Sequence, residues 1–220
     1  MKRDNPAKFS DVILDHIETS LKTYFGDSFE ISLLDPFAGS CKIAKLKEHM
    51  NVNVTCVDIE DGWDKVATPD RFIVCDSEFF HSDTIFDCIV TSPTYGNRMA
   101  DHHVARDGSK RNTYTHRYGA PLTKGSTAVM QFGEAYKDKH IRIFKNLRHC
   151  IIDYGLLIVN VSDFIRNGER VQVVSWWKDM LTNVGFEYFG ELKVPTPRNR
   201  FGANADKRVD YENILLFTKI

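Results

Sequence analysis

The chain has 220 residues, is 42% hydrophobic and carries 29 Lys and Arg against 30 Asp and Glu, a formal net charge of −1. That composition suits one soluble domain able to bury a full core, and it argues against a uniformly basic nucleic-acid coat. No run approaches the roughly 18 apolar residues of a membrane span, and the opening MKRDNPAKFS is charged with no apolar stretch, so the expected location is the cytoplasm. Cys41, Cys56, Cys75, Cys88 and Cys150 show no CxxC spacing, so they read as small buried hydrophobes in a reducing compartment, and no metal is expected.

In chain order the periodicity predicts a helix near 9–24, a strand at 29–35 (FEISLLD), a helix at about 40–50, a strand at 52–58 (VNVTCVD), a third at 71–75 and a fourth at 86–91 (FDCIVT). A long helix near 134–153 then leads into the strand GLLIVNV at 155–161, a helix at about 170–184 and two last strands, FEYFGELKV at 186–194 and ENILLFTKI at 212–220. This alternation predicts an α/β fold on a doubly wound sheet, with residues 1–220 forming a single domain. Residues 96–133 carry little periodicity, and a connection that long is expected to have a function. Tyr114, Tyr118, His102, His103 and His116 argue against plain disorder there. A metal role for the three histidines is disfavoured, because adjacent histidines rarely point at one ion.

The strand ends carry the chemistry. The first strand runs into Asp35-Pro36-Phe37-Ala38-Gly39-Ser40, where one glycine lets a ligand approach the backbone but is too little for a pyrophosphate-cradling GxGxxG. Asp58 closes the second strand about twenty residues after Gly39, where a carboxylate can accept from ribose hydroxyls, and Asp76 follows the third. The fourth runs into Ser92-Pro93-Thr94-Tyr95, a layout suited to a conjugated amine. The lone pair of such an amine is delocalised into its ring. Acceptors aimed at its hydrogens, here Ser92 Oγ and the Pro93 carbonyl, draw the nitrogen toward a tetrahedral, reactive form, while Tyr95 offers a flat face for an extruded base. Basic residues concentrate after that motif (Arg98, Arg106, Lys110, Arg111, Arg117) and again at 193–208 (Lys193, Arg198, Arg200, Lys207, Arg208), two segments expected to flank one face.

These motifs resemble those of the S-adenosylmethionine-dependent amino-methyltransferases of DNA. The catalytic tetrapeptide of that family is Asp, Asn or Ser, then Pro-Pro, then an aromatic, and Thr94 replaces the second proline; DPFAGS resembles its DPF-x-G-x-G motif, with Cys41 at the second glycine. Asn5-Pro6-Ala7-Lys8-Phe9-Ser10 resembles its N-terminal cofactor segment, although Ser10 also suits a helix cap. The resemblance implies a class I, Rossmann-like methyltransferase domain: a seven-stranded, mostly parallel sheet with an antiparallel last strand and a substrate-recognition loop inserted at about 96–133. It further implies S-adenosylmethionine as cofactor, held by Phe9, Ser10, Asp35, Phe37, Gly39, Asp58 and Asp76, and catalysis by Ser92, Pro93 and Tyr95. Double-stranded DNA with a flipped base would be the partner, gripped by Arg98, Arg111, Arg117, Arg198 and Arg200. Serine at the first tetrapeptide position favours cytosine N4 over adenine N6 in that family.

No proline is followed by cysteine, which excludes the covalent chemistry of 5-methylcytosine enzymes. The protein-glutamine methyltransferases, with a similar tetrapeptide, typically begin it with asparagine, so Ser92 argues against them. RNA remains an open substrate. A non-catalytic nucleic-acid module using the same basic segments is the contrasting reading, separated by whether S-adenosylhomocysteine raises thermal stability.

Overall fold

Helix α1 (Asp11–Phe25) starts where the Ser10 hydroxyl accepts the Ile13 amide at 3.2 Å, and buries Ile13, Leu14, Ile17 and Leu21. The computed structural model describes residue 5 and residues 9–95, 113–196 and 207–220. Strands β1 (Ile31–Asp35), β2 (Val52–Asp58), β3 (Arg71–Val74), β4 (Phe86–Thr91), β5 (Ile151–Val161), β8 (Phe186–Pro195) and β9 (Tyr211–Lys219) form one sheet in the order β3-β2-β1-β4-β5-β9-β8. A separate hairpin joins β6 (Phe164–Arg166) to β7 (Glu169–Val171). Within the larger sheet β9 runs against its neighbours β5 and β8, and the other pairings are parallel.

Helices cover both faces, which is why the central strands read as nearly continuous apolar runs. On one face α3 (Glu134–Leu147) and α4 (Val173–Val184) pack Tyr136, Phe144, Trp177 and Leu181 against Leu34, Ile89, Leu157 and Leu215. On the other, α1 packs against Leu33, Val54, Cys88, Leu156 and Ile214. All five cysteines are free, and all but the half-buried Cys75 are buried. No helix among the described residues is long and apolar enough to cross a membrane.

Several elements differ from expectation. Residues Lys42–Glu48 form a 3-10 rather than an α-helix, entered through Cys41 in the left-handed region at φ 56°. The long helix stops at Leu147, and β5 sets out from Ile151, which pairs with Phe86 before a register shift brings Leu156 beside Cys88. Gly155 sits in this irregular stretch, where a Cβ would lie 2.6 to 2.9 Å from Ile151, Ile152 and Asp87 atoms. The β6–β7 hairpin turns at Asn167-Gly168, both with positive φ, and displaces the start of α4 to Val173. The expected featureless segment contains helix α2 (Tyr114–Tyr118) and a 3-10 turn at Thr127–Val129.

Candidate active site

The strand order reverses between β1 and β4, and in such sheets a crevice opens at the carboxyl ends of these two strands. A cavity there is lined by Asn5, Phe37, Asp58, Asp76, Ser92 and Thr94. Gly39 turns the chain at φ +50° and donates its amide to Asp58 Oδ2 at 2.7 Å; a Cβ on it would fall 2.1 Å from Asn5 Nδ2, so no other residue fits without displacing Asn5. Asp58 Oδ1 accepts the Glu60 amide at 2.8 Å. Each oxygen keeps a second lone pair for a ligand. Burial pushes the Asp58 carboxyl up to about 6 despite these two amides.

Asp35 and its neighbours divide the work differently from the sequence reading. Asp35, 1% exposed, does not line the cavity. Its Oδ1 accepts the Phe37 amide at 3.1 Å and the Thr91 hydroxyl at 2.7 Å, bracing the two strand ends that flank the crevice. Burial pushes its carboxyl up to about 7. Phe37 lines the cavity and stacks on His140 at 5.6 Å between centroids. Phe9 is buried in the core and Ser10 is spent on the α1 cap; neither lines the cavity, whereas Asn5 of the same segment does.

At the fourth strand end, Ser92 Oγ donates to the Asn160 carbonyl at 3.3 Å and lies 3.4 Å from Asn160 Nδ2, which also donates to Glu212 Oε2 at 2.7 Å. Asn160 Oδ1 is buried with no hydrogen-bond partner among the described residues. Tyr95 Oη donates to the same Glu212 oxygen at 3.4 Å. Pro93 is buried. The Thr94 substitution has a structural account: its hydroxyl bonds Thr127 Oγ1 at 3.2 Å, and its carbonyl accepts the Tyr136 hydroxyl from α3, so hydrogen bonds hold the turn where a second proline would stiffen it.

A segment after the tetrapeptide covers the cavity, contributing Tyr114, Leu122 and Gly125 to Ala128. It is pinned by Trp63 against Tyr118 at 4.9 Å and by Glu60, whose carboxylate accepts the Thr123 amide at 2.6 Å and hydroxyl at 3.0 Å. The cavity holds about 60 Å³, room for a few waters, and this segment forms one of its walls. Sequence reading passes over Glu60, Trp63, Lys139, Asn160 and Glu212. Lys139 alone leaves a signal, a lysine within the apolar stripe Tyr136, His140, Ile143 and Leu147 of α3. Arg117 lies exposed on α2, while Arg98, Arg111, Arg198 and Arg200 fall outside the described residues.

Strand order, the antiparallel β9 and a crevice at the β1/β4 switch point define the Rossmann-like fold of class I S-adenosylmethionine-dependent methyltransferases. Solved structures agree. The Burkholderia thailandensis 1,6-didemethyltoxoflavin-N1-methyltransferase, with 1,6-didemethyltoxoflavin and S-adenosylhomocysteine bound, superposes with TM-score 0.54 at 14% identity over 94% of this chain and 77% of its own. A Clostridium acetobutylicum S-adenosylmethionine-dependent methyltransferase gives 0.56 at 12% identity, over 97% and 93%. The [4+2]-cyclase SpnF gives 0.57 at 12% identity, over 98% and 86%, so the fold alone does not fix the reaction. No protein-family model and no curated protein matches the sequence.

Proposed function

We propose that this chain transfers a methyl group from S-adenosylmethionine to the exocyclic amino group of a DNA base, cytosine N4 ahead of adenine N6. The observation that carries the reading is Ser92 at the end of β4, which with Thr94 lines a cavity running past Asp58 to Asp76. Ser92 gives its hydrogen to the Asn160 carbonyl and accepts from Asn160 Nδ2 at 3.4 Å, which leaves one lone pair for an incoming N–H. The residues present fit the cofactor: Asp58 has lone pairs left for ribose hydroxyls, Gly39 keeps the turn free of a Cβ, and the acidic strand ends suit a cation.

When bound, S-adenosylmethionine supplies an electrophilic methyl group on a sulfonium. The protein orients the nucleophile. Acceptors at Ser92 and the Pro93 carbonyl take the two amino hydrogens, freeing the nitrogen lone pair from the ring, and Tyr95 stacks on the extruded base. After transfer the nitrogen carries one proton too many, and Glu212, tied to Asn160 and Tyr95, is the carboxylate that receives it on that side. The covering segment shuts out water.

A second reading, methylation of a small-molecule amine, is favoured by one observation: the Burkholderia enzyme of the same fold is an N-methyltransferase holding a small substrate. Incubation with unmethylated DNA and S-adenosylmethionine, followed by mass spectrometry of the nucleosides, decides between the two. N4-methylcytosine is expected, with Ser92→Ala slowing its formation and leaving S-adenosylhomocysteine binding intact. No methylated nucleoside from a protein that binds S-adenosylhomocysteine would transfer the reading to the small amine. Absence of any stabilisation by S-adenosylhomocysteine would leave only the binding module.

A further inference from the structure

The sheet acts as a ruler along the cavity. Ser92 follows β4 and Asp76 follows β3, three strands away in the order β4-β1-β2-β3, and both line the same cavity. At about 4.8 Å per strand this spans roughly 14 Å. A cofactor whose methyl group meets a substrate at Ser92 and whose ribose meets Asp58 on β2 therefore puts its base beside Asp76.

A lysine waits at that end. Lys139 reaches over from α3, its side chain only 8% exposed, and places Nζ 2.6 Å from Asp76 Oδ2 and 3.5 Å from Glu78 Oε2. Glu78 is already neutralised by Arg142, whose Nε donates to Oε1 at 2.6 Å, so Glu78 does not require the lysine. Burying an ammonium is costly, and the ammonium has three donors, of which Asp76 takes one and Glu78 at most a second. Lys139 lines the cavity together with Gly125, and a Cβ on Gly125 would stand 3.5 Å from Nζ and 3.6 Å from Asp76 Oδ2, occupying the space in front of the pair. The cavity thus ends in an acceptor and a donor side by side. The Watson–Crick edge of adenine presents the complement, an N6–H donor beside the N1 acceptor.

We propose that Lys139 is a specificity residue of the cofactor site, donating to N1 of an adenine whose N6 amino group is held by Asp76. The inference rests on the cofactor half of the proposed function. Hypoxanthine offers an acceptor and an N–H in the opposite places, so the pair also rejects an inosine form of the cofactor.

Calorimetry tests this without turnover, using S-adenosylhomocysteine and its 1-deaza counterpart, in which N1 is replaced by C–H. The unmodified protein should bind the 1-deaza compound about tenfold or more weakly, the loss expected of a charge-assisted hydrogen bond. Lys139→Met should bind S-adenosylhomocysteine about tenfold more weakly and lose its preference between the two compounds. Equal affinity of the unmodified protein for both overturns the proposal, and this comparison needs no variant to fold. A Lys139→Met protein that weakens both compounds by one factor also overturns it, since that is how a merely structural lysine behaves. Failure of the unmodified protein to bind S-adenosylhomocysteine removes the cofactor reading and the proposal with it, and is distinguishable because it appears before any comparison.

Discussion

Asp35 shows how one carboxyl can serve the site from behind its wall. The Phe37 amide and the Thr91 hydroxyl both donate to Oδ1, so an asparagine at this position, with its oxygen in the same place, would keep both hydrogen bonds. What asparagine removes is the buried charge. The folded-state carboxyl titrates near 7 against 3.8 ordinarily, so the native state binds more protons than the unfolded chain across that interval and this residue's contribution falls as pH rises through it. Asp35→Asn should therefore match the parent near pH 4 and exceed it by about 2 to 4 kcal/mol at pH 8, measured by denaturant unfolding at several pH values. A constant difference across that range would mean that Asp35 is not buried as a carboxylate. The variant-minus-parent difference is the quantity to follow, because His140, held near 4 by burial, pulls the other way: it costs stability as pH falls below its ordinary 6.5. At Asp58 the charge lines the cavity. Asp58→Ala should weaken S-adenosylmethionine binding by about 1 to 3 kcal/mol, and unchanged calorimetric affinity in a folded variant would dissociate the end of β2 from the ribose.

At the scale of elements the covering segment is held over the cavity by two tethers. Glu60 fixes it through two hydrogen bonds to Thr123, and Trp63 packs at 4.9 Å on Tyr118 from α2. Glu60→Gln keeps one acceptor and turns the other into a donor facing a donor. S-adenosylhomocysteine should then both enter and leave about tenfold faster, for a loss of roughly 1.4 kcal/mol in the closed form. Stopped-flow tryptophan fluorescence, to which Trp63 contributes from beside the segment, reads this, and unaltered rates would show that ligands enter by another route. This segment is also where sequence reading is weakest. The strands and the helices α1 and α3 are legible because their apolar residues recur at the right period, and β2 and β4 match their expected bounds. That Asp58, Asp76 and Ser92 gather around one crevice is legible because open α/β sheets put their crevice at those strand ends. The β6–β7 hairpin escapes although Asn167-Gly168 is a strong turn signal, because the helical pattern of α4 reads back over it. Glu60, Asn160 and Glu212 leave no local trace. Their roles arise from pairings such as Asn160 opposite Ile214 on β9, which bring distant stretches of chain together.

The whole molecule is almost neutral, so any grip on nucleic acid must come from how its charges are distributed. The register places Val161 at the end of β5 beside Asn213, and Asn213 beside Lys193, so the connection from Pro195 to Tyr211 leaves and returns at the same sheet edge as Ser92. The segment after Tyr95 also leaves from that edge and comes back through α2, where Arg117 is exposed. Two arginine-bearing stretches thus start and finish around one crevice, although Arg111, Arg198 and Arg200 themselves lie outside the described residues. A flipped base needs its flanking phosphates held on such a rim. Neutralising Arg111 with Arg117, or Arg198 with Arg200, should weaken DNA binding and lower the slope of log affinity against log salt by about 0.9 for each phosphate no longer held. S-adenosylhomocysteine affinity should stay at its parent value, since the cofactor is assigned to Asp58, Asp76 and Lys139 instead. If both double variants retain the parent salt slope, the arginines are solvated surface, the carboxyl edge is not a DNA face, and the amine that Ser92 awaits belongs to a smaller molecule.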